Sequence, residues 1–493
     1  MKSFDLRALA YRAMKEAGFE PDLPPGAARE IQAINMHQHA PPSDFSLPDM
    51  RNLLWSSIDN DDSRDLDQIE YAERTSEGAI KVMIGIADVD DAVPRHSVID
   101  SHASANTTSV YTPTVIFPML PEQLSTDATS LLGDADRLAV IIEMSVAANG
   151  EVGSPRIYRA IIRNHAKLTY EGIGAWLEGK GPAPEKVAAI AGLSDQIRLQ
   201  DEATDHLQDL RHRNGALNLE TIEARAVIDD GNIVDIVAAE HNRAHGIIES
   251  FMVAANSAMA EFLESKHVAS IRRVVRKPTR WPRIVELAEG LGEHLPADPD
   301  PLALSAFLTG RKSADADHFP DLSLAIVKLL GPGEYAVERP GEDQGGHFGL
   351  AVHDYTHSTA PNRRFADLVT QRLVKAVLHG DGTPYPATEL DAIAARCTER
   401  ENAAKKIERM MRKAATALIL SPRIGESFDA IVTGASPKGT YVRLLVPPAE
   451  GRVMRGEQGL DVGDRVRVRL LSTDAERGYI DFAAEATNHH AAR

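Results

Sequence analysis

The chain has 493 residues, with 54 Lys and Arg against 72 Asp and Glu, and its net charge of −18 argues against a nucleic-acid partner, because phosphates are bound by basic side chains. With 43% hydrophobic and 26% charged residues the chain is neither disordered nor fibrous, and its length allows about three domains. The single cysteine, Cys397, excludes an intramolecular disulfide framework and a zinc site made of several cysteines.

Residues 1–45 are predicted to form a short helical segment. Leu6, Leu9 and Ala13 recur at helical spacing, and a second helix is expected to begin at residue 27, after a Pro-Pro-Gly break. Two small helices suit either a helix-turn-helix-like nucleic-acid module or an appendage docked on the next domain. Because the chain shows neither a secretory signal nor ~20 successive apolar residues, we expect a cytoplasmic protein without a membrane partner.

Residues 46–422 are predicted to form one α+β domain. Apolar, β-branched runs between turn signals predict strands early in this stretch, and helical periodicity dominates later. The strands are expected over 80–89, 138–146 and 156–162, and the helices over 244–262, 367–378 and 390–418.

Residues 423–486 change to short strands separated by Pro and Gly. Five strands in about 60 residues suit a small Greek-key barrel of the OB type. They are expected over 427–433, 440–445, 451–454, 464–471 and 479–482, and residues 487–493 are expected to be a frayed tail.

The segment "IDNDDSRDLDQ" contains five carboxylates within residues 59–67. Such a cluster repels itself unless cations or solvent compensate it, and hard oxygen ligands point to Mg²⁺ or Mn²⁺. Asp65 and Asp67 alternate with Leu66, so in an extended segment both carboxylates point to one face. Two alternatives are a solvated acidic loop and an EF-hand, although the glycine that an EF-hand needs at its sixth place is Arg64.

The acidic segment is followed, in order, by "IGIADVDDAVP", "TSVYTPTVIFPMLPEQLS", "SLLGDADRLA", "KLTYEGI", "IIESFMVAAN" and "HFGLAVHDYTHSTAPNRRFADL". In this order and spacing, the blocks resemble the RNB catalytic domain of the ribonuclease II / ribonuclease R family. The resemblance covers roughly residues 45–380, and residues 423–486 resemble the S1-type OB-fold that follows this domain in the family.

The resemblance implies processive, Mg²⁺-dependent hydrolysis of single-stranded RNA from the 3′ end to nucleoside 5′-monophosphates, with Mn²⁺ as an alternative metal. Asp59, Asp65 and Asp67 fall on the family's metal-binding aspartates, and Asp67 on the catalytic one. The fourth metal position is Gln68, an amide without negative charge, so its metal affinity is in question. Asp61, Asp62 and Glu70 are the candidates to compensate for the missing carboxylate.

Arg363 matches the family arginine at the scissile phosphate, where a guanidinium can fork two hydrogen bonds to phosphate oxygens. Arg364 is expected to do this instead or to support the RNA backbone. Tyr111 and Tyr170 match the two tyrosines that flank the terminal nucleotides, where aromatic stacking ignores base identity. Glu249 matches the glutamate that contacts the 3′-terminal nucleotide, and a carboxylate on ribose hydroxyls favours RNA over DNA.

Three features extend or weaken this expectation. The basic run over 272–283 is a candidate RNA-facing patch, and Asn362 replaces a family isoleucine beside Arg363. Only about 45 residues precede the RNB-like region, too few for the two cold-shock barrels common in the family. We expect a monomeric 3′-to-5′ exoribonuclease that does not use DNA. The alternative, suggested by Gln68, is a catalytically weakened RNA-binding protein on the same fold.

Overall fold

The computed structural model describes residues 4–38, 47–222, 224–229, 232–238, 241–316, 318–436 and 439–485. It mixes helices and strands as the α+β prediction requires, and no helix in these ranges is long and apolar enough to cross a membrane. The predicted tail, 487–493, lies outside the described residues.

The helices are α1 (Leu6–Glu16), α2 (Ala27–Gln38), α3 (Val89–Ala92), α4 (Val98–Asn106), α5 (Tyr170–Leu177), α6 (Glu185–Ala189), α7 (Leu193–Arg213), α8 (Arg243–Ser265), α9 (Trp281–Gly290), α10 (Pro301–Ala314), α11 (Phe319–Leu330), α12 (Phe365–His379) and α13 (Ala387–Leu420). The strands are β1 (Ser56–Asp59), β2 (Gln68–Arg74), β3 (Ile80–Ala87), β4 (Val110–Tyr111), β5 (Ile116–Phe117), β6 (Asp136–Val146), β7 (Arg156–Arg163), β8 (Ala166–Thr169), β9 (Ala224–Asp229), β10 (Asn232–Ala238), β11 (Ser270–Val274), β12 (Glu334–Glu338), β13 (Ser427–Ser436), β14 (Gly439–Leu444), β15 (Glu450–Arg455), β16 (Arg465–Asp474) and β17 (Tyr479–Ala484).

The two N-terminal helices dock on the rest of the molecule. The apolar face of α1, which includes Leu9 and Met14, is buried against α13. Glu30 of α2 accepts hydrogen bonds from the first two backbone N–H groups of α4, at 2.8 and 2.9 Å. Apolar burial and helix capping together hold the segment in place, as the docked-appendage alternative predicted.

A six-stranded sheet in the order β7-β6-β3-β2-β1-β8 forms the centre of the larger domain. Neighbouring strands are antiparallel except β1 and β8, which are parallel. The predicted strands 80–89, 138–146 and 156–162 correspond to β3, β6 and β7. Strand β3 is apolar apart from Lys81 and is buried on both faces, and α7 and α8 pack against the sheet.

Three chain segments meet at one end of this sheet. Strand β1 ends at Asp59, β2 begins at Gln68, and β8 ends at Thr169, directly before α5. Because β1 runs antiparallel to β2 and parallel to β8, these three points lie side by side. The acidic loop between β1 and β2 is therefore placed next to the start of α5.

The C-terminal strands close into a barrel in the order β13-β14-β15-β17-β16, which confirms the OB-type prediction. Alternate residues such as Val442 and Phe482 point inward and are fully buried. Arg443 of the barrel wall donates to Asp321 of α11 at 2.9 Å, and both side chains are largely buried. The barrel is thus tied to the larger domain, although the domain boundaries at 45/46 and 422/423 stay predictions.

Candidate metal and RNA-binding site

The acidic loop between β1 and β2 is held extended by Ser130. The Ser130 hydroxyl accepts a hydrogen bond from the Leu66 N–H at 2.9 Å and donates one to the Arg64 carbonyl at 2.6 Å, while Leu66 itself is buried. Asp65 and Asp67, on either side of Leu66, consequently share one face. Strands, not helices, flank the loop, so the EF-hand alternative is wrong.

Asp67 is the most deeply buried aspartate of the loop, with 1% of its surface exposed. Its Oδ1 accepts a hydrogen bond from the Asn362 backbone N–H at 2.9 Å, and its Oδ2 accepts one from Arg363 Nε at 3.2 Å. Burial raises the pKa of Asp67 to about 7, even though the positive charge of Arg363 opposes the shift. One arginine therefore does not fully offset the cost of burying this carboxylate.

Arg363 and Tyr111 are brought together by backbone pairing. The Ser109 N–H donates to the Arg363 carbonyl at 3.0 Å, which aligns the chain before β4 with the loop before α12. Tyr111 lies two residues after Ser109, and its hydroxyl donates to Asp65 Oδ2 at 3.2 Å. Burial is the main cause that raises the pKa of both Asp65 and Tyr111. The predicted Asp65, Asp67, Tyr111 and Arg363 thus form one connected group.

Asp59 and Tyr170 occupy the neighbouring corner of the site. Asp59 Oδ1 accepts hydrogen bonds from the Asn60 N–H and the Ser63 hydroxyl, both at 2.7 Å. Tyr170 is the first residue of α5, and its pKa is raised by burial and then by the charges of Asp59 and Glu70. Asp59 and Tyr170 are therefore within electrostatic range of each other.

His245 extends the aromatic surface that Tyr170 begins. The two rings are stacked, with centroids 3.9 Å apart and planes 10° apart. Burial lowers the pKa of His245 to about 4, so the imidazole is neutral at pH 7. Glu249 lies one turn further along α8, is 62% exposed and stands 3.7 Å from Arg211. Sequence analysis missed His245, although a spacing of four residues places it on the same helix face as Glu249.

Within the described residues, no hydrogen bond joins Gln68 or Arg364 to this group. Gln68 is the first residue of β2, pairs with Ile86 of β3 and is largely buried. Arg364 Nη2 donates to Asp367 Oδ1 at 2.7 Å, so it is Arg363, and not Arg364, that contacts Asp67. The metal-binding role of Gln68 and the RNA-binding role of Arg364 stay predictions.

The predicted RNA-facing patch over 272–283 is wrong at its first two arginines. Arg272 and Arg273 are buried on β11, where Arg272 lies 2.6 Å from Glu338 and Arg273 lies 2.7 Å from Glu401. The sequence run alone did not indicate that these arginines are buried, because their acidic partners come from β12 and α13. Buried arginines are retained only when such partners satisfy them.

A second group of acids surrounds Arg272. Glu264, Glu338 and Asp354 each bring a carboxylate oxygen close enough to the others to share a cation. Arg272 Nη2 already lies 2.6 Å from Glu338 and 3.9 Å from the other two. Because the Arg272 guanidinium already lies against all three carboxylates, this group is not our candidate metal site.

Asp59, Asp65 and Asp67 have the donor chemistry of a hard divalent-cation site, although, unlike the acids around Arg272, their carboxylate oxygens do not all lie within 4.8 Å of one another. They supply three carboxylates, while among the described residues only Arg363 offers a positive charge in contact with them. Oxygen ligands of this kind suit Mg²⁺ or Mn²⁺. The chemistry of the donor set thus supports the metal site that the sequence predicted.

The sheet with its acidic corner and the closed barrel after α13 are typical of an RNB domain followed by an S1 domain. The RNB domain family matches residues 48–380, and the RNase II-type exonuclease C-terminal S1 domain matches residues 426–485. The chain belongs to the RNB-domain family of ribonuclease II and ribonuclease R.

Among curated relatives, ribonuclease R from Escherichia coli is 29% identical over 474 residues, which are 88% of this chain and 57% of that protein. Ribonuclease R from Aquifex aeolicus is 30% identical over 462 residues, 88% of this chain and 64% of that protein. Ribonuclease R 1 from Lactococcus lactis is 28% identical and is matched over 56% of its length. The chain therefore spans less than two thirds of these relatives.

Solved structures share the fold. RNase R from Mycoplasma genitalium, in complex with ribose-methylated single-stranded RNA, superposes with a TM-score of 0.85 at 23% identity, covering 98% of this chain and 78% of that one. Yeast Ssd1, described as a pseudonuclease, gives a TM-score of 0.65 at 16% identity, covering 89% and 57%.

Proposed function

We propose that the protein is a Mg²⁺-dependent 3′-to-5′ exoribonuclease that processively hydrolyses single-stranded RNA to nucleoside 5′-monophosphates, with Mn²⁺ as an alternative metal. The observation that carries this proposal is the contact of Arg363 with the buried Asp67, at 3.2 Å, beside Asp65 and Tyr111. It joins an acidic cation site to a phosphate-binding group. The sequence relatives named ribonuclease R support the same activity.

Each side chain of the site has a role in this reaction. A Mg²⁺ ion held by Asp59, Asp65 and Asp67 would activate the attacking water and offset charge on the phosphate. Within the described ranges, the Arg363 guanidinium donates only through Nε, to Asp67, so its two terminal amino groups can bind phosphate oxygens. Its side chain is 42% exposed, which leaves it accessible to RNA.

The aromatic and acidic groups around this centre suit the end of an RNA strand. Tyr111 is 39% exposed, and Tyr170 stacks on His245, so both can offer a ring to bases of any identity. The exposed Glu249 can accept hydrogen bonds from ribose hydroxyls, which disfavours DNA. We assign the 3′ end of the RNA to the side of the site that Tyr111, Tyr170 and Glu249 form.

The test uses single-stranded RNA labelled at its 5′ end, purified protein and Mg²⁺, with an EDTA sample and an Asp67→Asn variant as controls. A labelled ladder that shortens to a small limit product is expected with the unmodified protein only. Immediate release of a labelled mononucleotide would contradict the 3′-to-5′ direction. A DNA oligonucleotide of the same sequence should stay intact.

The second candidate is an RNA-binding protein on the same fold with weakened catalysis. Gln68, which brings no charge to the fourth metal position, favours it, and the fold is shared with a protein described as a pseudonuclease. RNA that is bound but left intact in both Mg²⁺ and Mn²⁺ would establish this function and refute the nuclease.

A further inference from the structure

Glu70 is a buried carboxylate without a partner. It is fully buried in β2, and within the described ranges neither of its carboxylate oxygens has a hydrogen-bond partner. Ser56 stands directly opposite it on β1, and the Ser56 hydroxyl is likewise buried and unpartnered. An unpaired carboxylate is expensive to bury, so Glu70 is neutralised either by a proton or by a cation, and the described side chains around it supply no cation.

Glu70 lies on the same face of β2 as Gln68. Side chains alternate along a strand, so residues 68 and 70 point to one side and Ile69 to the other. Tyr170, whose ring borders the acidic corner, is within electrostatic range of both Asp59 and Glu70. Glu70 therefore shares the strand face of Gln68, opposite to the face of Asp65 and Asp67, and within the acidic corner it is in electrostatic range of Asp59. Its side chain is one methylene longer than that of an aspartate.

The other two acids that could replace the missing carboxylate are placed differently. Asp61 and Asp62 are both exposed at the outer part of the loop, where the Asp61 carbonyl accepts a hydrogen bond from Lys167. Exposed carboxylates are solvated and need no cation. Of the three candidates, only Glu70 is buried and unsatisfied.

We infer that Glu70 supplies to the divalent-cation site the carboxylate that Gln68 lacks, as a direct or water-mediated ligand. The inference rests on the proposed function, since it concerns the same metal site. It assigns a role to an acid in β2 instead of in the acidic loop. The carboxylate ligand would then stand at position 70 instead of position 68, two residues further along the same face of β2.

The experiment is a titration of the metal-free protein with Mn²⁺, in which the free ion is followed by its electron paramagnetic resonance signal. Glu70→Gln is expected to weaken Mn²⁺ binding about tenfold or to abolish one of two bound ions. Glu73→Gln, on the opposite face of the same strand and paired with Lys81, is the matched control and should bind Mn²⁺ like the unmodified protein.

The double variant Gln68→Asp/Glu70→Gln returns the carboxylate to position 68 and should restore the affinity. Thermal unfolding in EDTA shows that each variant is folded, and saturating Mn²⁺ should raise the unfolding temperature of Glu70→Gln less than that of the unmodified protein. Equal Mn²⁺ affinity in Glu70→Gln and the unmodified protein would overturn the inference while leaving the proposed function intact. Absence of Mn²⁺ binding and of RNA hydrolysis in the unmodified protein would overturn both.

Discussion

Two groups of carboxylates in this molecule are compensated in opposite ways. Glu264, Glu338 and Asp354 surround Arg272, which is 3% exposed and lies within 3.9 Å of all three. Asp67 has a contact with one arginine, and Glu70 has none within the described structure. The arginine of the first group lies against all three of its acids, whereas the arginine of the second contacts only Asp67 and leaves Glu70 unpaired. We therefore expect a metal ion where buried carboxylates lack a positively charged partner, and not simply where acidic residues are numerous.

The largest expected effect comes from removing the charge of Asp67. Asp67→Asn should lower the rate of RNA hydrolysis by at least about 10³-fold, because the cation loses a ligand and Arg363 loses its partner. RNA affinity, measured by fluorescence anisotropy in the same buffer, should stay within about twofold. Loss of RNA binding together with activity would show that Asp67 is structural.

Removing the charge of Arg272 should change the stability of the protein and not its metal binding. Arg272→Met leaves the buried Glu338 without its partner and should lower the free energy of unfolding by about 3 kcal/mol, measured by denaturant unfolding. Arg283→Met is the control, because its pair with Glu286 is exposed and should contribute less than about 1 kcal/mol. A small effect of Arg272→Met would mean that the two acidic groups are not compensated differently.

The stacking surface next to the uncompensated group should contribute to RNA affinity. Tyr111→Ala and Tyr170→Ala are each expected to weaken the binding of single-stranded RNA by about 1–3 kcal/mol. Tyr111→Phe keeps the ring and removes only the hydrogen bond to Asp65, so it should weaken binding less. Equal losses for the alanine and phenylalanine variants would show that stacking is not the source of the effect.

His347 pairs with Val275, directly after the strand that carries Arg272 and Arg273, and its burial predicts a pH effect on stability. Burial, aided by the nearby Arg273, lowers the pKa of His347 to about 4. Since this value is below the ordinary 6.5, the folded state binds fewer protons than the unfolded state. The stabilisation is present above pH 6.5 and is lost as the pH falls towards 4, by at most about 1.4 kcal/mol per pH unit.

His347→Asn should reduce this pH dependence of the unfolding free energy. Asparagine keeps an acceptor for the Leu350 N–H, which His347 Nδ1 accepts at 3.2 Å, but cannot titrate. Identical slopes between pH 6.5 and 5 for the two proteins would contradict the assigned shift.

The smallest expected effect is a gain in metal affinity. Gln68→Asp adds a carboxylate on the strand face that already carries Glu70, so the Mg²⁺ concentration for half-maximal hydrolysis should fall several-fold. The measurement is a Mg²⁺ titration of the initial rate. An unchanged requirement would show that position 68 does not influence the metal.

Local patterns in the sequence were sufficient for the elements and for much of the site. Short runs separated by Pro and Gly predicted the five strands of the barrel, and strand alternation predicted the shared face of Asp65 and Asp67, because these features depend on neighbouring residues alone. The motifs that resemble the RNB domain then selected Asp67 and Arg363, which the fold brings into contact from positions 296 residues apart.

Contacts that join distant segments could not be predicted in the same way. The run over 272–283 was interpreted as an RNA-facing patch because the partners Glu338 and Glu401 lie far along the chain. The stack of His245 on Tyr170 was missed for the same reason. The net charge of −18 was also a poor guide to the binding partner. It does not distinguish acids that pair with buried arginines from acids that lack a positively charged partner.

The most direct measurement is the anomalous diffraction of crystals soaked in Mn²⁺, collected at the manganese absorption edge. The strongest peak is expected among Asp59, Asp65 and Asp67, with no peak at the group around Arg272. A peak among Glu264, Glu338 and Asp354, or none at the acidic loop, would contradict the assignment of the metal site.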